Sequence, residues 1–209
     1  MTKIAVFVSG GGTNLQALLD AQQAGTLGGT IVGVLSSAPG AYALERAKNA
    51  GVPGFVLARG DYESSRAMTA AFTAKSKELG ADLIVLAGFL HILTEEIVAA
   101  YPNAILNVHP ALIPAFCGAG CYGLHVHEKV LDRGVKVTGA TVHFVNEEPD
   151  GGPIVLQKAV AVLPGDTPEV LQKRVMEQAE HHILPEAVRL FCAGRLTVAG
   201  RTVIIKEVQ

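Results

Sequence analysis

The sequence has no tryptophan, and aromatic residues make up 5% of its 209 positions. A surface that stacks nucleic-acid bases needs aromatic platforms, so that class is excluded. Charge is also scarce: Asp, Glu, Lys and Arg together make 17%, where ~25% is usual. The 17 Lys+Arg against 19 Asp+Glu leave a net charge of −2, with no basic field to draw nucleic acid or an anionic membrane. Three cysteines are too few, and odd in number, for a disulfide framework, so a reducing, cytoplasmic setting is expected. The longest apolar run, Leu83–Leu90, falls far short of the ~20 residues of a spanning helix. Met1-Thr2-Lys3 and the short run Ile4–Val8 do not make a signal peptide.

Apolar residues are plentiful, at 49% of the chain. Low charge with ample Val, Ile, Leu and Ala fits a core covered on two faces and excludes a disordered or coiled-coil chain. The first half alternates two periods. Lys3–Ser9 is a continuous β-branched run, as for a strand buried on both sides. Gly10-Gly11-Gly12 breaks it, and Thr13 with Gln16 reads as a capping box opening a helix that Gly25 ends. Strands are expected at Thr30–Ser36, Phe55–Leu57, Leu83–Leu86 and Ala104–Val108, with helices at Ala41–Ala50, Tyr62–Leu79 and Glu95–Ala100 between them. This order predicts an α/β fold with an open, mostly parallel, doubly wound sheet.

After residue 110 the pattern changes. Leu124–Arg133 is predicted helical, and Val135–Val145 pairs antiparallel with Ile154–Leu163. A long helix runs from about Asp166 to about Ala193, capped by Asp166 or Thr167, with Glu169 completing a box with Asp166. Leu196–Val198 and Thr202–Ile205 form a closing hairpin. With no linker or repeat, residues 1–209 are read as one domain, whose halves 1–110 and 111–209 do not stand alone.

Three segments can carry chemistry. Ser9-Gly10-Gly11-Gly12-Thr13-Asn14 joins the first strand to the first helix. Glycines let backbone approach a ligand, and a helix start offers free N–H groups. Leu15 stands where a dinucleotide fingerprint needs a third glycine, and no Lys follows as in a P-loop. A phosphate monoester is the ligand that fits, and a bare tight turn is the alternative. Asn107-Val108-His109-Pro110 comes at a strand end. Alternation puts Asn107 and His109 on one side, roughly 6.6–7 Å apart. An amide that donates to an oxyanion and an imidazole that moves protons suit acyl transfer, while a buried His bonded to backbone is the plainer reading. Asp150-Gly151-Gly152-Pro153 is explained equally by turn chemistry or by a carboxylate that supports a histidine. Cys117, Cys121, His125 and His127 lack the spacing of a structural zinc site, nothing nearby in sequence activates either thiol, and no metal is expected. Glu180-His181-His182 reads as a solvated helix face.

Taken together, SGGGTNLQALLD at 9–20, LAGFLHIL at 86–93, NVHPALIP at 107–114, GATVHFV at 139–145 and DGGPIVLQ at 150–157 resemble the folate-dependent phosphoribosylglycinamide formyltransferases. The resemblance covers nearly the whole chain, in order. It implies a Rossmann-like formyltransferase fold and transfer of the formyl group of 10-formyltetrahydrofolate to N1-(5-phospho-D-ribosyl)glycinamide in purine synthesis. By that resemblance Asn107, His109 and Asp150 are catalytic, and Gly12, Thr13, Asn14 and Glu180 meet the phosphorylated substrate. Arg66, Leu90, His91, Ile92, Leu93, Asn107, Asn146, Glu147, Glu148, Pro149 and Asp150 meet the folate.

Three departures stand out. His91 occupies a position expected to be Arg, Ala111 one expected to be Ser, and the loop Ala115–Tyr122 is longer than in the shortest relatives. The partners implied are small molecules, with no nucleic acid and no membrane, and oligomeric state is not legible. In the implied mechanism Asn107 and His109 stabilise the tetrahedral oxyanion, and Asp150 is expected to raise the His109 pKa. A formyltetrahydrofolate deformylase would use the same three residues on water. That enzyme and the tRNA formyltransferases carry an additional domain, which a chain running from Met1 to Gln209 is expected to lack.

Overall fold

The computed structural model describes residues 1–207. Its first half follows the expected alternation. The strands are β1 (Thr2–Val8), β2 (Gly29–Ser36), β3 (Gly54–Val56), β4 (Leu83–Leu86) and β5 (Ile105–His109). Between them run α1 (Thr13–Gln23), α2 (Ala43–Asn49), α3 (Ser65–Glu78) and α4 (Glu95–Ala100). The second half comprises α5 (Leu124–Arg133), β6 (Val137–Phe144), β7 (Ile154–Ala161), α6 (Pro168–Val175), α7 (His181–Cys192) and the hairpin β8 (Leu196–Ala199) and β9 (Thr202–Ile205).

All strands join one sheet in the order β3-β2-β1-β4-β5-β6-β7-β9-β8. Its first five strands are parallel. β6 then pairs antiparallel with β5, and β7 antiparallel with β6. β1 lies between β2 and β4, so the winding reverses there, and the loops leaving β1 and β4 part in opposite directions. Open α/β sheets bind ligands at such a point, outside the carboxyl ends of the strands.

Alternation along β1 divides the core. Ile4, Val6 and Val8 face the layer of α1, α5, α6 and α7, while Ala5 and Phe7 face α3 and α4. On the second side Phe7, Phe72 and Phe89 meet edge to face, with centroids 4.8, 5.4 and 5.1 Å apart, the arrangement favoured by the aromatic quadrupole. Leu83–Leu86 is buried along its whole length, which explains why it reads as an unbroken apolar run.

The starts of α1 and α3 differ from expectation, and α6 takes one of its two expected caps. Thr13 is the first residue of α1 and not its cap. Gly12 takes the cap position at φ 72°, and no side chain caps the helix. The sharp passage from β1 into α1 needs a left-handed residue, which glycine supplies. α3 begins at Ser65, where the Ser64 hydroxyl accepts from the Ala67 N–H at 3.1 Å. At α6 the cap is Thr167, accepting from Val170 N–H, while Asp166 binds the Arg174 guanidinium instead of boxing with Glu169.

The long C-terminal helix is also interrupted. A π-helical turn, Met176–Glu180, separates α6 from α7. Such a turn inserts an extra residue and re-aims side chains, and helical periodicity in the sequence carries no sign of it. Replacing Phe72 by Ala is expected to remove about 3–5 kcal/mol of stability, measured by urea unfolding. A loss under 1 kcal/mol would mean the aromatic trio does not support the sheet.

Candidate active site

The loop after β1 is shaped by close packing. A Cβ on Gly12 would lie 2.6 Å from the Ala43 Cβ, whereas Gly10 and Gly11 face open space. The loop is tied to the one after β4: Ser9 N–H donates to the Gly88 carbonyl at 3.2 Å, and Leu90 N–H to Ser9 Oγ at 2.9 Å. Thr13 contacts the Met176 sulfur, and Asn14 is buried, with Nδ2 donating to Glu180 Oε2 at 2.6 Å. The Asn14 Oδ1 is buried without a partner.

Glu180 therefore does not lie on a solvated face. The π turn swings it inward, leaving it 5% exposed. Burial pushes its carboxyl up to about 7, with the Asn14 bond opposing. His181 beside it is half-buried. A cleft of ≈ 400 Å³ lined by Thr13, Gln16, Ala17, Asp20, Arg46 and His181 opens along the flank of α1.

At the carboxyl end of β5 the predicted trio comes together. The antiparallel register sets Asn107 opposite His143 and His109 opposite Thr141. Asp150 arrives from the turn after β6, in left-handed backbone at φ 55°. Gly152 lets that turn fold back, since a Cβ there would sit 1.8 Å from the Phe144 carbonyl oxygen. Asp150 Oδ2 stands 3.5 Å from His109 Nδ1. Its Oδ1 accepts from Asn107 Nδ2 at 3.4 Å and lies 3.6 Å from His143 Nε2.

His143 was not among the expected site residues. Its Nδ1–H donates to the Phe144 carbonyl at 2.8 Å, leaving Nε2 to accept from Asn107 Nδ2 at 3.1 Å. Alternation in GATVHFV shows Thr141 and His143 on one face, but the pairing with β5 that puts His143 over Asn107 is a tertiary fact. Thr141 braces the adjoining loop, donating to the Ala111 carbonyl at 2.7 Å and accepting from Ile113 N–H.

The pKa of His109 moves the opposite way from expectation. Burial lowers it, and this outweighs the Asp150 carboxylate, which acts upward. Asp150 is itself held below the usual carboxylate range. Its own burial opposes this, but the nearby His143 and His109 rings and the Gly118 N–H together prevail. Near pH 7 the pair is a neutral imidazole beside a carboxylate.

The loop Ala115–Tyr122 lies over this pair. Its Phe116 carbonyl accepts from His109 Nε2–H at 2.8 Å, and its Gly118 N–H donates to Asp150 Oδ2 at 2.9 Å. His125 pairs with Glu128 at 2.8 Å, and His127 is fully buried, pushed down to about 4 by its burial. Among the described residues, no three His, Cys, Asp or Glu side chains converge to hold a metal.

The expected folate-side residues fall on two loops and a helix start. Leu90 and Ile92 are exposed after β4, and Asn146–Pro149 lead into Asp150, with Asn146 Oδ1 accepting from Glu148 N–H at 3.1 Å. The His91 ring stacks edge-on against Phe89 at 6.1 Å and faces the Ser65 backbone, its pKa lowered by burial. Arg66 is not drawn to the trio. It is largely exposed and binds Glu96 at 2.7 Å and Glu95 at 3.3 Å.

Comparison with known proteins decides the family, since the formyl transferase family matches residues 2–188. The chain belongs to the formyl transferase family. A phosphoribosylglycinamide formyltransferase of Haemophilus influenzae is 41% identical over 196 residues, covering 94% of this chain and 90% of that protein. A chloroplastic phosphoribosylglycinamide formyltransferase of Arabidopsis thaliana is 40% identical over 195 residues, covering 93% of this chain. The chain spans 66% of that protein's length. The crystal structure of glycinamide ribonucleotide transformylase 1 from Symbiobacterium toebii superposes with a TM-score of 0.94 at 45% identity, covering 99% of this chain and 95% of that one. The formyl transferase fold, a mostly parallel sheet with antiparallel C-terminal strands, is thereby shown.

Glu180 yields a test through stability. Its folded pKa of about 7 lies above its unfolded value of ~4.3. The folded state therefore binds more protons between those values, and stability falls as pH rises through that window. Glu180→Gln is expected to be more stable than wild type at pH 8 by up to roughly 3 kcal/mol, with the difference shrinking toward pH 4. Urea unfolding at the two pH values checks this, and a pH-independent difference would contradict it.

Proposed function

We propose that this chain transfers the formyl group of 10-formyltetrahydrofolate to the glycinamide amine of N1-(5-phospho-D-ribosyl)glycinamide, a step of purine biosynthesis. One observation carries the reading. Asn107, His109 and Asp150 converge at the carboxyl edge of the sheet, on the rim that also bears the glycine loop, in a chain about 40% identical to enzymes with that name. Gly12, Thr13 and Asn14 receive the phosphate, with Glu180 behind them toward the glycinamide part. Residues 90–93 and 146–150 flank the folate pterin, and Arg66 serves the folate side.

The chemistry follows from protonation states. The glycinamide amine attacks the formyl carbon, and a tetrahedral oxyanion forms. The Asn107 contact with Asp150 is long, at 3.4 Å, and is the hydrogen Asn107 turns to the oxyanion. Once the loop over it releases Nε2, the ring proton moves to Nδ1 beside Asp150, and the bare Nε2 of neutral His109 takes the proton that the amine must lose. Asp150, 3.5 Å from Nδ1, stabilises the imidazolium so formed without being protonated itself. That proton then goes to N10 of the folate as it leaves. His143 keeps Asn107 aimed. Holding both substrates in one cleft removes much of the entropic barrier. Because the Phe116 carbonyl occupies His109 Nε2–H, the loop 115–122 shifts when substrates enter.

The test is formylation of glycinamide ribonucleotide by purified protein, with formate release in its absence measured alongside. Formyl transfer supports the proposal, and formate release without transfer would indicate a deformylase. His109→Ala and Asp150→Asn are each expected to lower kcat about 10²–10⁴-fold at saturating substrates. Near-wild-type kcat in both would remove this assignment.

A further inference from the structure

The loop over the catalytic pair carries two thiols that the reaction does not use. Cys117 sits directly between Phe116, whose carbonyl accepts from His109, and Gly118, whose N–H donates to Asp150. Both loop contacts with the catalytic pair are thus made by backbone flanking one cysteine. The Cys117 thiol itself donates to the Pro114 carbonyl at 3.3 Å. Cys121 closes the turn that follows, its N–H bonded to the Gly118 carbonyl at 3.0 Å. Gly118 and Gly120, at φ 79° and 74°, let the chain double back between the two sulfurs.

The sequence offers no group to activate either thiol, but the fold supplies one. Lys129, on α5, reaches over the loop with Nζ 3.2 Å from Cys121 Sγ and 2.9 Å from the Gly120 carbonyl. An ammonium at a sulfur, on a partly accessible segment, is the setting of thiols that react with oxidants. Both cysteines are partly exposed. Burial, and next to it the Asp150 carboxylate and Cys121, push the Cys117 thiol up.

We propose that Cys117 and Cys121 are an oxidation site at which a hydroperoxide forms an intraloop disulfide that reversibly shuts off the catalytic pair. Cys121 attacks one peroxide oxygen as a thiolate. The O–O bond breaks, hydroxide leaves, and the sulfur, oxidised by two electrons, becomes a sulfenic acid. The Cys117 sulfur then attacks Cys121 Sγ. The S–O bond breaks, the S–S bond forms, and water leaves with the Cys117 proton. Two thiols and one peroxide give one disulfide and two waters. To reach Cys121, the Cys117 sulfur must leave the Pro114 carbonyl. This draws the Phe116 carbonyl and the Gly118 N–H out of register with His109 and Asp150 and pins a loop that substrates must displace. The effect on rate rests on the proposed formyl transfer, but the thiol chemistry does not. Cys192, on α7 beside Gly28 and Gly29, lies on another part of the molecule and serves as the control.

The experiment treats the protein with hydrogen peroxide and reads intact mass, disulfide-linked peptides and formyl transfer together. Wild type is expected to lose about 2 Da, to yield a 117–121 linked peptide, and to lose at least about ten-fold in kcat, restored by dithiothreitol. Cys192→Ser should behave likewise. Cys117→Ser and Cys121→Ser should keep formyl transfer and resist inactivation, with a sulfenic acid on Cys121 trapped by dimedone in Cys117→Ser. Lys129→Ala should slow that trapping several-fold. Inactivation without the linked peptide, or inactivation of either serine variant as complete as that of wild type, overturns the proposal. Formation of the linked peptide in a protein whose reduced form transfers no formyl group overturns the functional reading instead.

Discussion

The Asp150 carboxylate accepts from the Gly118 N–H at 2.9 Å and has Asn107, His109 and His143 within 3.4–3.6 Å. Its backbone is left-handed and its turn is folded tightly over Phe144, which only Gly152 permits. A carboxylate in such surroundings stays charged only if its neighbours hold it so, and its lowered pKa shows that they do. The antiparallel seam between β5 and β6 exists, in functional terms, to deliver this group. It brings a residue from the second half of the chain onto the carboxyl edge built by the first half. Neither half holds all four side chains, and the one sheet that runs through both brings them together.

The electrostatics at that edge are set by competition. Proximity to a carboxylate favours an imidazolium, and burial favours a neutral ring. For His109 burial wins, so the resting pair is a base beside an anion that becomes an ion pair only when a proton arrives. Glu180 shows the same contest with the same winner: with a single amide partner, burial prevails and, for an acid, raises the pKa. Burial thus leaves a histidine that resists protonation and a glutamate that resists ionisation.

Much of this was legible in the sequence because local chemistry dictated it. The run Leu83–Leu86 is buried throughout and reads as a strand. Glu95–Ala100 and Leu124–Arg133 are helices with the expected bounds. Asn107 and His109 share a face because a strand alternates. What escaped needed contacts distant in sequence. His143 reaches Asn107 only through the strand register. Glu180 turns inward only because a π turn interrupts the helix. Lys129 meets Cys121 only because α5 packs back over its own preceding loop. Thr13 looked like a cap by composition, yet the backbone needed a left-handed residue one position earlier. Arg66, which the family resemblance makes a folate contact, pairs with two glutamates on α4, a contact that only the packing of α3 on α4 reveals.

The claim on which this account turns is that resting His109 is neutral, with its Nε2 proton held by the Phe116 carbonyl until substrates enter. Nitrogen-15 NMR of histidine-labelled protein at pH 7 reads tautomer and charge directly. The account predicts a neutral ring protonated at Nε2 and bare at Nδ1, with protonation only below the ordinary histidine range. An imidazolium at pH 7, or a neutral ring with its proton on Nδ1, would contradict it.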